Sequence, residues 1–213
     1  MRRLFFTACF LTAQLVNAQV KIGLQAGFAT ANQTGLNFYT YTFSPPRQQR
    51  VYSEGINGFS GGFFVESNLG KNISLRVKAF YAQEGMVTPT MVDPSGNLIL
   101  GQEKIKLHCI NLPLQVLYNP KLAAGTPWVG VGPYAGAVLS ANANGNTIKV
   151  GGDKDDAYKF FDIGISGTAG FTFRNGVFAG IDYQHSLVSI SQQNSKLRNA
   201  MWGFFAGYAI TIY

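Results

Sequence analysis

In eight segments of the chain, large apolar residues recur at every second position: near 20–30, 57–67, 73–85, 104–118, 128–140, 160–174, 177–190 and 200–213. A strand points successive side chains to opposite faces, so this period predicts strands with one apolar and one polar or small face. Segment 160–174 is the clearest. Phe161, Ile163, Ile165, Ala169, Phe171 and Phe173 share one parity, and Asp162, Ser166, Thr168, Thr172 and Arg174 share the other. Residues 73–84 repeat the pattern, with Ile73, Leu75, Val77 and Tyr81 opposed to Ser74, Arg76, Lys78 and Glu84. In 177–190, Val177, Ala179, Ile181, Tyr183 and Leu187 oppose Asp182, Gln184 and Ser186. The last segment sets Trp202, Phe204, Tyr208, Ile210 and Ile212 against glycines and small residues. Segment 128–140 is less decisive, because Gly130, Gly132 and Gly136 share a parity with Trp128 and Tyr134.

Alternation of this kind also suits a soluble, lipid-binding barrel with a dry inside. Three features reverse the faces. The segments run to about 11–15 residues, whereas ordinary strands have about 5–6 and about 9–11 tilted residues cross a bilayer. The polar parity mixes both signs of charge with Gly, Ser and Thr, which suits a narrow barrel interior, while the bulky parity suits lipid. The connections alternate as well: 31–56, 86–103, 141–159 and 191–199 are long, and 68–72, 119–127 and 174–176 are short. Long loops at one end and short turns at the other mark an outer-membrane barrel, with the short turns on the periplasmic side. In hydrocarbon each unpaired backbone polar group costs several kcal/mol, so the last strand must close on the first. The expected fold is therefore all-β: an eight-stranded antiparallel up-and-down transmembrane β-barrel.

Composition agrees. Only 13% of residues are charged, about half the share found in soluble domains. Arg2 and Arg3 precede an apolar stretch from Leu4 to Val16, and small residues reach Ala18. This is the layout of a secretory signal and is too short for a spanning helix. Residues 1–18 are expected to be removed and 19–213 to form the barrel. The loss of Arg2 and Arg3 lowers the formal net charge of +7 by two. A lipoprotein reading of Thr7-Ala8-Cys9 fails, because Leu4–Ala8 is too short an apolar core. Cys109 then remains as the one cysteine, inward with Ile105 and Leu107, and no internal disulfide is possible.

Several residues invite a chemical reading. His185-Ser186 suggests a hydrolase dyad, but strand neighbours face opposite ways and cannot easily meet. His185 and His108 suit interfacial aromatic positions better. Asp153, Asp155 and Asp156 lack the Asp-x-Asp-x-Asp-Gly frame of a calcium loop, and Lys154 sits among them. No catalytic, cofactor or metal site is expected. Arg76, Lys78, Glu84, Asp162, Arg174 and Asp182 carry the interior parity, and as a charge network they would fill a lumen just wide enough for side chains. Tyr39, Tyr41, Phe43, Pro45, Pro46, Arg47 and Arg50 make the first long loop aromatic and basic, suited to lipopolysaccharide phosphates or a protein surface.

Six stretches resemble one family in order along the chain. They are Lys21-Ile-Gly-Leu-Gln-Ala-Gly-Phe28, Gly58-Phe-Ser-Gly-Gly-Phe63, Ala79-Phe-Tyr-Ala-Gln-Glu-Gly85, Ile110-Asn-Leu-Pro-Leu-Gln-Val-Leu-Tyr118, Gly130-Val-Gly-Pro-Tyr-Ala-Gly136 and Asp162-Ile-Gly-Ile-Ser-Gly-Thr-Ala-Gly170. They are similar to strands of the outer-membrane β-barrel domain proteins of the PorT-like, porin-family type. The resemblance implies an eight-stranded barrel in a Gram-negative outer membrane but no defined activity. One member type takes part in protein secretion and gliding. This chain departs from the family at Lys78, near which the third strand often carries an acid. The expected function is non-enzymatic: a structural, adhesive or assembly- and secretion-linked role through the long loops, with a lipid-modifying enzyme or narrow conduit as the alternative. Expected partners are outer-membrane lipid, lipopolysaccharide and envelope proteins met through loops 31–56 and 141–159, and not nucleic acid.

Overall fold

The computed structural model describes residues 19–43, 46–151, 157–192 and 196–212. The expected signal at 1–18 with Cys9, the loop residue Pro45 and the acids Asp153, Asp155 and Asp156 lie outside the described residues. Eight long strands form the body: β1 (Val20–Thr34), β2 (Glu54–Asn68), β3 (Ile73–Val87), β4 (Lys104–Tyr118), β5 (Gly125–Ala143), β6 (Phe161–Phe173), β7 (Val177–Ser186) and β8 (Arg198–Ile212). Each pairs antiparallel with the next, and β8 returns to β1 from Val20 opposite Ile212 to Thr34 opposite Arg198. That last ladder closes the barrel and leaves no strand edge for the hydrocarbon to strand unpaired.

The side-chain parity sorts as the alternation predicts. Phe28, Leu24 and Phe161 face out with 75%, 69% and 68% of their surface exposed, far too much for a soluble core. No described helix is long and apolar enough to cross a membrane, which says nothing about strands. Turn chemistry fixes the short end. The Gly176 N–H donates to the Phe173 carbonyl at 3.0 Å, and Gly176 takes a φ of +87° that a side chain would resist.

The fold differs from the sequence reading in the extent of β7 and in the long connections. β7 stops at Ser186, short of residue 190. The Ser191 N–H donates to the Ser189 hydroxyl at 3.2 Å, a local bond that competes with the ladder. The first long connection is not irregular: Phe38–Phe43 and Pro46–Val51 form their own hairpin, as aromatic and β-branched alternation at Tyr39-Thr40-Tyr41-Thr42 favours. The third folds back on β5 through Asn146–Ile148, turned by Asn144 and Gly145 at φ of +50° and +90°.

Candidate functional site

The interior of the barrel is filled in alternating polar and apolar layers. Nearest the short turns, the Arg76 guanidinium donates from Nε and Nη2 to Glu66 Oε2 at 2.9 and 2.6 Å. Ser74 Oγ and Asn119 Nδ2 donate to Glu66 Oε1 at 3.0 and 3.1 Å, so this carboxylate is held from four directions. The same guanidinium lies 4.4 Å from the ring centres of both Phe64 and Trp128. Phe64, Trp128, Phe178, Phe205 and Ala209 form one buried cluster there. An unpaired cation in such a place would be costly; carboxylate and ring faces together offset the desolvation.

The next polar layer pairs Lys78 with Asp182 across the lumen. Asp182 also accepts from Thr168 Oγ1 at 2.6 Å, and the Lys78 ammonium sits 4.5 Å from the Phe205 ring centre. Above it lies an apolar layer of Ala29, Ala31, Phe80, Ala82 and Met201. Then come the remaining carboxylates. Glu84 accepts from Asn111 Nδ2 at 2.7 Å and Asn199 Nδ2 at 2.9 Å. Asp162 accepts from the Tyr134 hydroxyl at 2.8 Å and Ser186 Oγ at 2.7 Å. The long-loop end is stoppered by a dry cluster of Leu107, Cys109, Val138, Ala141, Tyr158, Ile190 and Leu197. Tyr158 reaches down from the third loop and donates to Gln33 Oε1 at 3.2 Å; burial pushes its phenol up to about 12.

Of the six candidate interior charges, the structure buries Arg76, Lys78, Glu84, Asp162 and Asp182. They fall into three groups along the lumen: Arg76 on Glu66, Lys78 on Asp182, and Glu84 joined to Asp162 through Asn199 and Ser186. Arg174 is placed elsewhere: β6 ends at Phe173, and Arg174 stands exposed in the turn that follows. Glu66, the partner of Arg76, escaped the sequence reading. Phe63 and Phe64 are adjacent, so β2 shows apolar residues at both parities and its inward acid does not stand out. Tyr134 shared its parity with glycines, a signal that was present but ambiguous.

The hydrolase pair is kept apart. His185 faces outward and stacks against Tyr183, with ring centres 6.4 Å apart. Ser186 faces inward, fully buried on Asp162. His108 Nδ1 bonds the outward Tyr81 hydroxyl at 2.5 Å. Among the described residues no group of three or more His, Cys, Asp or Glu side chains is placed to hold a metal. Cys109 is buried as a free thiol in the dry cluster. The first hairpin exposes Tyr39 and Phe43 beside Arg47 and Arg50, and the Arg50 guanidinium lies 5.0 Å from the Tyr52 ring centre.

Residues 12–192 match the model of a family described as outer membrane protein beta-barrel domain. Among solved structures, the outer membrane protein OprG of Pseudomonas aeruginosa is 13% identical and aligns over 92% of this chain and 97% of its own, with a TM-score of 0.53. Ail, the attachment invasion locus protein of Yersinia pestis, was solved with the heparin analogue sucrose octasulfate. It is 8% identical over 90% of this chain and 99% of its own, at a TM-score of 0.46. Neisserial surface protein A is 14% identical over 89% and 96%, also at 0.46. At such identities the likeness concerns the fold alone. No curated protein matches the chain in sequence. The family model spans most of a chain whose eight strands close on themselves with a lipid-facing outer wall, and the chain belongs to the outer-membrane β-barrel domain family, in the outer membrane of a Gram-negative bacterium.

Proposed function

We propose that this protein is a non-enzymatic barrel that acts through its long loops, in a structural, adhesive or assembly-linked contact at the cell surface. Residues 1–18 act as the export signal and 19–213 as the barrel, with the short turns in the periplasm and the long loops outside. The six strand motifs support the PorT-like, porin-family subtype, and with it a link to secretion machinery.

The observation that carries this reading is the pairing of a filled lumen with an ordered hairpin at the long-loop end. Two cations anchored on carboxylates and aromatic rings occupy the lumen, which argues against a conduit. The Phe38–Phe43 and Pro46–Val51 hairpin offers Arg47 and Arg50 beside exposed aromatics. Guanidinium groups bind phosphate oxygens in pairs, so lipopolysaccharide phosphates are the fitting contact, with envelope proteins a further partner of loops 31–56 and 141–159. The test is lipopolysaccharide binding by the barrel in nanodiscs. Replacing Arg47 and Arg50 by Gln should weaken it about 5-fold or more while the folded band on an unboiled gel stays intact. Unchanged binding would remove the loop contact from the account.

A further inference from the structure

The acidic residues of this chain are distributed unevenly between its two ends. Asp162, Glu84, Asp182 and Glu66 are buried in the lumen. Glu54, Asp93 and Glu103 stand at the long-loop end, and Asp153, Asp155 and Asp156 belong by sequence to the third long connection. That accounts for all ten acids of the sequence. The short-turn end therefore presents no exposed side-chain carboxylate among the described residues.

It does present four cations, each from a different piece of chain at the mouth. Lys21 comes from the start of β1, Lys71 from the turn between β2 and β3, Lys121 from the turn between β4 and β5, and Arg174 from the turn between β6 and β7. All four line a single cavity of about 540 Å³, together with Asn119 and Asn175. Lys21 lies 3.6 Å from the buried Glu66 carboxylate, which Arg76 already neutralises. Lys71, Lys121 and Arg174 are exposed and join none of the ion pairs among the described residues.

We infer that the short-turn mouth is a docking site for an acidic peptide segment in the aqueous phase. The cations come from four separate strand ends and turns around the barrel, so they suit several carboxylates spaced along a chain better than one phosphate. They also surround the barrel opening, whereas lipid headgroups meet the outer wall. A cluster of like charges at a concave, low-dielectric rim focuses its field outward and steers an opposite charge in. The exposed Asn175, whose Oδ1 accepts from the Val177 N–H, turns its amide N–H groups to the same oxygens.

The test uses the barrel in nanodiscs of zwitterionic lipid with a fluorescein-labelled octaglutamate peptide, read by anisotropy. Saturable binding is expected, lost between about 50 mM and about 0.5 M salt as screening shortens. Each of Lys71→Gln, Lys121→Gln and Arg174→Gln should weaken it by up to about 5-fold, while Lys106→Gln at the opposite end should leave it unchanged. Undetectable binding at low salt would overturn the inference, as would equal binding by the triple variant. Preference for anionic lipid over the peptide, seen as loss of binding when phosphatidylglycerol is added to the disc, would also overturn it by assigning the cations to headgroups. None of these outcomes depends on what the long loops contact.

Discussion

Replacing Lys78 by Met leaves Asp182 buried in the lumen with Thr168 as its remaining bonded side chain. Removing one member of a buried ion pair typically costs about 3–5 kcal/mol, because the survivor is desolvated without compensation. The methionine keeps contact with the ring of Phe205, where the ammonium lay 4.5 Å from the centre, so packing loss is small. The charge itself should therefore dominate. With a denaturant slope of about 1–3 kcal/mol per molar urea, the midpoint should fall by about 1–5 M. The double variant Lys78→Met with Asp182→Leu removes both charges and should recover to within about 1–2 kcal/mol of the parent. Urea unfolding of the barrel in lipid vesicles, followed by tryptophan fluorescence and by the folded band on unboiled gels, measures both. A single variant as stable as the parent would refute the reasoning, as would a double variant whose loss equals the sum of the singles.

Other expectations follow from particular contacts. A Cβ on Gly170 would sit 2.3 Å from the Trp128 ring and 2.4 Å from the Ala179 carbonyl, so Gly170→Val should destabilise by about 1–3 kcal/mol or more. Gly70→Ala, with nothing within 4 Å, should stay within about 0.5 kcal/mol by the same urea titration. Trp202 is 49% exposed on the outer wall and Trp128 only 4%. Brominated lipid should accordingly quench a single-tryptophan protein keeping Trp202 strongly and one keeping Trp128 weakly. At the tip of the second loop, Asp93 accepts from the Asn97 side-chain Nδ2 at 3.0 Å and from the backbone N–H groups of Asn97 and Ser95, each at 2.8 Å, which together hold its carboxyl below the ordinary value of 3.8. A depressed carboxyl stabilises above its unfolded pKa and loses that contribution as pH falls through the folded one. Protection of the Ser95 and Asn97 amides from exchange should thus be steady above about pH 4 and fall below it.

The barrel was legible because lipid and lumen impose opposite demands on alternate residues. Phe161, Ile163 and Ile165 could not share a solvent with Asp162 and Ser166, and the outward and inward faces followed. The rule that apolar means outward then failed where the lumen had to be filled. Phe64 and Phe205 point inward, where they offer ring faces to Arg76 and Lys78, and Phe178 packs edge-on against both rings; those partners depend on which strands lie across the lumen. Strand neighbours can be read from spacing, but partners across a lumen cannot, so Glu66 was missed beside Phe64. Arg174 was misplaced for a simpler reason: parity carries no meaning once the strand has ended at Phe173. The hairpin of the first loop is written in the aromatic and β-branched alternation of Tyr39-Thr40-Tyr41-Thr42, beside the charges of Arg47 and Arg50.

The central claim is that the lumen is closed by its own side chains and that the protein works from its ends. Single-channel recording in planar bilayers tests this most directly. The filled layers around Arg76 and Lys78 predict a quiet membrane across the voltage range, with no stable unit conductance. Large, regular conductance steps that vanish when the purified barrel is boiled before addition would contradict it.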